Sequence, residues 1–208
     1  MLPTAPFVQT IVAPRNSGKT YLLINLLIQD KYYRNKFDKV YIISPTFYLD
    51  PKWDCISIPD KQIFTEFDEY SLESIIENKK IEEQILLILD DAIAEDGFKT
   101  SQILNKIAIR GRHMKVSMIC ISQKVCSIST TIRSQTDSMI VFKSRSSNEV
   151  ESLYKDNNIG GLTRNGFNRL LFDCTEERYS FLNMNYQNNK VYKKFSEVSL
   201  KDYNNDRS

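Results

Sequence analysis

With 208 residues, 41% hydrophobic and 26% charged, the chain holds enough apolar mass for one domain with a buried core, which excludes wholesale disorder. Lys plus Arg number 28 against 26 for Asp plus Glu. The net charge of +2 therefore excludes a chain dominated by basic charge, while permitting a local basic stripe on nucleic acid.

The runs Ile85–Leu89 and Ile119–Ile121 are far too short to span a bilayer, so no membrane partner is expected. No basic stretch followed by an apolar run opens the chain, and secretion is not indicated. Cys55, Cys120, Cys126 and Cys174 show no CxxC spacing, and His113 alone leaves no zinc set. Reduced thiols in an intracellular protein are expected.

In chain order, Phe7–Val12 is a run of β-formers, followed by the turn-prone Ala13–Ser17 and a helix from Gly18 through Leu22, Leu23, Leu26 and Leu27. Lys39–Ile43 is a second strand, closed by Ser44-Pro45-Thr46, and Cys55–Ile58 a short third. Helical patterning covers Lys61–Phe67 and Leu72–Asn78. Ile85–Leu89 is continuously apolar and ends in two aspartates, as a fully buried parallel strand would. Ser101–Ile109 reads as a helix, Val116–Ser122 and Ser138–Phe142 as strands, and Asn148–Tyr154 and Arg164–Leu170 as short helices. Leu170–Asp173 and Tyr179–Met184 read as a terminal hairpin. From Asn185 the composition turns polar. The expected organisation is an α/β domain over residues 1–184 and a loosely held tail over 185–208. Its sheet is mainly parallel, with helices on both faces and a C-terminal hairpin.

In such sheets ligands sit beyond the carboxyl ends of the strands. After the first strand comes Ala13-Pro14-Arg15-Asn16-Ser17-Gly18-Lys19-Thr20, which matches the phosphate-loop pattern GxxxxGK[ST] everywhere except Ala13. Gly18 lets backbone approach phosphate, Lys19 reaches the β/γ-phosphates as a point charge, and the Thr20 hydroxyl ligates Mg²⁺. The alternative is a chance Gly-Lys-Thr at an ordinary helix start. Asp90 stands where Mg²⁺ coordination through water is expected, and Asp91 where a carboxylate orients or deprotonates attacking water. Both would otherwise be solvated loop residues.

Gln123 follows the next strand, where an amide can donate to a γ-phosphate and accept from water; a plain surface glutamine is the other reading. Arg110, Arg112 and Arg133 are candidates to stabilise a transferring phosphoryl group, to touch DNA phosphates, or to form structural ion pairs. Basic and aromatic residues mix in Lys31-Tyr32-Tyr33-Arg34-Asn35-Lys36 and Val191-Tyr192-Lys193-Lys194. Such patches suit nucleic acid or a solvated surface.

The residues alone lead to a Mg²⁺-dependent nucleoside triphosphatase of the additional-strand type. Their order resembles the FtsK–HerA superfamily of P-loop ATPases, RecA/FtsK-like in fold, and within it the genome-packaging ATPases of poxviruses, large DNA viruses, virophages and Maverick elements. The resemblance rests on Ala13–Thr20, Ser44-Pro45-Thr46, Leu89-Asp90-Asp91, Arg110-Gly111-Arg112-His113, Ser122-Gln123, and Ile132-Arg133 before Ile140-Val141-Phe142. It covers most of Pro6 to Phe142 and departs at Ala13 and at Asp91, where cellular members carry glutamate. It implies a motor that hydrolyses ATP with Mg²⁺ to draw double-stranded DNA into a preformed capsid. It further implies a homo-oligomeric ring, a capsid or vertex partner, and a place in the host cytoplasm, viral factory or virion. A cellular-type DNA translocase or helicase, and a non-hydrolysing ATP-binding assembly factor, are the competing readings. A GTPase lacks its guanine-reading motif here, and a nucleotide kinase would not require Asp90, Asp91 and Gln123 at successive strand ends.

Overall fold

The computed structural model describes residues 1–91, 97–144, 146–156 and 159–204. Among these, nine strands form one sheet in the order β3-β2-β4-β5-β1-β6-β7-β8-β9. The strands β1 (Val8–Val12), β2 (Lys39–Ile43), β3 (Ile63–Phe64), β4 (Ile85–Asp90), β5 (Val116–Ser122) and β6 (Ser138–Phe142) run parallel. The strands β7 (Phe181–Asn185), β8 (Lys190–Lys193) and β9 (Ser196–Val198) add an antiparallel meander.

The apolar runs are continuous because both faces are covered. Along β4, Leu86 and Ile88 pack beneath helix α1 (Lys19–Ile28), together with Leu23, Leu26 and Trp53. The alternate residues Ile85, Leu87 and Leu89 pack on the other face. There they meet helices α2 (Glu69–Glu77) and α3 (Gln102–Met114). The short helix α4 (Thr130–Ser134) follows β5. Helices α5 (Ser147–Asp156) and α6 (Arg164–Thr175) cover the β6–β8 end of that face, through Leu153, Phe167, Leu170 and Cys174.

Four expectations need correction. Residues 55–58 form no strand: Pro51–Cys55 is a 3₁₀ turn, capped by Asp50 accepting from the Lys52 N–H at 3.2 Å and anchored by Trp53 stacked on Phe47. The third strand is instead Ile63–Phe64, inside the segment expected to be the Lys61–Phe67 helix. Helix α3 continues to Met114, so Arg110 and Arg112 lie in its last turns, not in a connecting loop. Leu170–Asp173 belongs to α6, so the terminal hairpin is β7–β8 and not the expected pair.

The polar stretch after Asn185 is not loose through Asn204. Val191 and Tyr192 are buried in β8, and the turn Leu200–Tyr203 docks on α6 with the Tyr203 hydroxyl donating to Asp173 at 3.0 Å. The remaining tail, 205–208, lies outside the described residues. Gly166 shows how tight this docking is, because a Cβ there would stand 2.2 Å from the Tyr203 carbonyl oxygen. Glycine to alanine inside a helix ordinarily stabilises by about 0.5–1 kcal/mol. Here overpacking, at about 1–3 kcal/mol, reverses the sign. Gly166→Ala is expected to lower Tm by several degrees, about 2–4 °C per kcal/mol for a chain of this size, as scanning calorimetry would read.

Candidate nucleotide site

The parallel strands set their carboxyl ends along one edge. Register pairs Asp90 with Ile121 and Val12 with Ser122, so the segments that follow β4, β5 and β1 lie side by side. The Ala13 N–H donates to the Ser122 carbonyl at 2.8 Å, which sets Gln123 beside the start of the phosphate loop. Gln123 is exposed there.

Ala13 is fully buried in the α1-side core, and its φ is not positive. A methyl group is therefore accommodated at the position where the usual motif has glycine. The left-handed positions are Asn16 (φ 62°) and Gly18 (φ 97°), and Gly18 caps α1. A helix N-terminus at that point turns its unpaired N–H groups towards an anion. Thr20 follows in the first turn of α1.

Lys19 Nζ stands 3.2 Å from Asp90 Oδ1 and also pairs with Asp91 Oδ2. The Asp90 side chain is 3% exposed, and burial raises its carboxyl above the ordinary range, opposed by Lys19. Asp91 is more open and adopts φ 56°. Lys19, Asp90 and Asp91 are thus assembled at one point, with Thr20 and Gln123 on the adjoining segments.

The donor chemistry suits a hard cation. The Thr20 hydroxyl and Asp90 carboxylate offer oxygen donors, and the described residues contain no cluster of three His, Cys, Asp or Glu that could cage a metal alone. Mg²⁺ is bound by such sparse protein ligands when phosphates and water complete its octahedron. Asp50 was not anticipated. It follows β2, lies within electrostatic reach of Lys19, and is itself held by Lys52 Nζ at 2.8 Å. Burial would raise its pKa, but the hydrogen bonds from Lys52 outweigh that and lower it. Only its place after a parallel strand could have signalled it.

The three arginines stand elsewhere. Helix α3 ends where β5 begins, so Arg110 and Arg112 lie towards the amino edge of the sheet. Arg112 is bound to Asp137 Oδ1 at 2.6 Å, while Asp137 Oδ2 accepts the Val8 N–H at 2.9 Å. Arg133 is paired with Asp156 and only 18% exposed. Arg110 is exposed and makes no ion pair with a described residue. A cleft of about 440 Å³ beside Arg112, His113 and Asp137 also lies at that edge, away from the phosphate loop.

Neither basic–aromatic patch offers stacking rings. Tyr32 and Tyr33 are 4% and 5% exposed, with Tyr33 stacked on Phe7 at 5.0 Å. In the second patch Tyr192 is buried, and Lys193 and Lys194 both pair with Glu177. The rings in both patches anchor the core.

Among solved structures, the fold is similar to the genome packaging NTPase B204 of Sulfolobus turreted icosahedral virus 2 in complex with AMP. The TM-score is 0.70 and identity 17%, over 91% of this chain and 97% of that one. It is similar also to B204, the DNA-packaging ATPase of Sulfolobus turreted icosahedral virus, with TM-score 0.64, 16% identity, and 90% and 96% coverage. EssC (ATPases 2 and 3) of Geobacillus thermodenitrificans aligns over 72% of this chain and 34% of its own, with TM-score 0.52 and 17% identity. At these identities the likeness is one of fold. No curated protein matches in sequence. Residues 1–172 match the family described as Poxvirus A32 protein, a span that holds the phosphate loop, both aspartates, Gln123 and all three arginines, and the chain belongs to that family.

Proposed function

We propose that the protein is an ATP-driven motor that moves double-stranded viral DNA into a preformed capsid, acting as a homo-oligomeric ring docked on a capsid or vertex protein in the infected cell. The observation that carries this reading is Lys19 held against Asp90 and Asp91 beside the phosphate loop, in a member of the Poxvirus A32 family. Support for the substrate and cargo comes from the fold neighbours, described as a genome packaging NTPase with bound AMP and a DNA-packaging ATPase. No helix of the described residues is long and apolar enough to cross a membrane.

The backbone N–H groups of Asn16–Thr20 and the α1 N-terminus hold the phosphates. Lys19 leaves its carboxylates for the β/γ-phosphates, and that release frees Asp91 to accept the proton of an attacking water. Gln123 positions that water by accepting from it while donating to the γ-phosphate. Thr20 and Asp90 would hold Mg²⁺, which supplies charge neutralisation on the phosphate oxygens.

The phosphoryl group still needs a cation from outside. Arg110, Arg112 and Arg133 all lie away from their own phosphate loop, which favours action on a neighbouring copy's ATP. Arg110 is the first choice, because Arg112 and Arg133 are already held by Asp137 and Asp156.

Steady-state ATP turnover with and without duplex DNA tests this reading. Stimulation by any duplex, falling steeply as salt rises, is expected of contacts made to phosphates. Strong preference for one sequence, or binding without turnover, contradicts it. Arg110→Ala should lose about 10³–10⁵ in rate. Mixing it with Lys19→Ala subunits, whose Arg110 is intact, should restore part of that loss, whereas full turnover by Arg110→Ala alone contradicts the trans role.

A further inference from the structure

A cleft of about 210 Å³ opens on the flank of the phosphate loop, between Pro14–Ser17 and the segment Thr175–Ser180 that joins α6 to β7. Ser180 forms part of its lining, is 2% exposed, and has a buried hydroxyl without a hydrogen-bond partner. The Ser17 hydroxyl on the facing wall is also buried and unpartnered. A buried polar group without a partner costs about 1–3 kcal/mol, and two residues that line this one cleft, Ser17 and Ser180, each carry one.

Tyr179 stands at the cleft with φ 62°, a backbone conformation unusual for a bulky side chain. Its Cδ1 lies 3.1 Å from where a Cβ on Gly18 would be, so the ring leans directly on the phosphate loop. The ring is half exposed, and the Arg178 guanidinium lies over it, 4.7 Å from its centroid. Together they make a flat surface backed by a cation. Glu177, the neighbouring acid, is neutralised by Lys193 at 2.7 Å and Lys194 at 3.7 Å, which lessens its repulsion of a polyanion.

We propose that this cleft is the base and ribose site of the nucleotide, with Tyr179 as its stacking residue and the Ser17 and Ser180 hydroxyls as its polar contacts. The proposal rests on the phosphate loop being an ATP site, and adds which part of the chain reads the rest of the nucleotide. Stacking on an aromatic face tolerates any base, so Tyr179 should grip ATP and GTP alike.

The experiment compares ATP, GTP and inorganic tripolyphosphate binding by calorimetry in the wild-type chain, Tyr179→Ala and Tyr179→Phe. Tyr179→Ala should weaken both nucleotides about 5- to 150-fold, the usual range for a lost base–aromatic stack, and leave tripolyphosphate unchanged. Tyr179→Phe should bind as wild type. Unchanged nucleotide binding by Tyr179→Ala overturns the proposal, as does an equal loss of tripolyphosphate, which would make the ring a mere prop for the loop. If wild type binds neither nucleotide nor tripolyphosphate, the phosphate-loop reading itself falls, and this proposal with it.

Discussion

Lys19→Ala should lose ATP binding altogether and, less obviously, should change the stability of the nucleotide-free chain with pH. The first effect follows from the proposed ground-state contact of Lys19 with phosphate. The second follows from its other partners. Asp90 is nearly buried, and Lys19 offsets its charge at 3.2 Å. Removing one member of a buried pair costs up to about 3–5 kcal/mol when the remaining charge stays ionised.

Asp90 has an escape through protonation. Its pKa is already raised by burial, and without Lys19 it should rise further. A carboxyl whose folded pKa exceeds its unfolded value favours folding at low pH, and that contribution is lost as pH climbs from the ordinary value towards the folded one. Wild type and Lys19→Ala should therefore have similar Tm values near pH 4 and diverge as pH rises. Adding Asp90→Asn to Lys19→Ala should flatten that divergence without restoring ATP binding. Thermal scans across pH, alongside calorimetric titration with ATP, read both effects. Retained ATP affinity in Lys19→Ala would remove this residue from the site.

Asp91→Asn should bind ATP at least as tightly as wild type and hydrolyse it about 10²–10⁴-fold more slowly, the usual weight of a general base. Asp91 is paired with Lys19, and on the proposed mechanism phosphate that draws the lysine away frees it as a base. An interaction made only on the way to the transition state changes turnover and not affinity. Single-turnover hydrolysis with saturating enzyme separates the two quantities. Wild-type rates in Asp91→Asn would exclude it from proton transfer, and Asp50 would then be the next carboxylate to examine.

The layout of the sheet was legible where apolar runs were continuous. Burial on both faces leaves no polar alternation to confuse the reading, and β2, β5 and β6 fall where expected. Legibility failed where tertiary context decided. Leu170–Asp173 looks extended in isolation, yet Phe167, Leu170, Leu171 and Cys174 share one helical stripe behind a Thr163 cap. The tail beyond Asn185 is polar overall, but Val191 and Tyr192 commit β8 to the core. The helix expected to end at Ile109 runs on through Gly111 to a left-handed cap at Lys115.

Lys19, Asp90 and Asp91, the candidate residues that the structure brings together, were legible because the phosphate-loop pattern has a fixed spacing and lies beside the next strand ends. Arginines carry no such local constraint, and the place of Arg110 and Arg112 at the opposite edge depends on which way α3 runs. Asp50, Arg178 and Tyr179 reach the loop only through folding, with no motif of their own.

Motion along duplex DNA can be measured directly by displacement of a triplex-forming oligonucleotide bound ahead of the protein. ATP-dependent displacement is predicted on duplexes of unrelated sequence, absent with Lys19→Ala and with Asp91→Asn. ATP hydrolysis stimulated by DNA with no displacement of the third strand would contradict a translocating motor and leave a DNA-activated ATPase in its place.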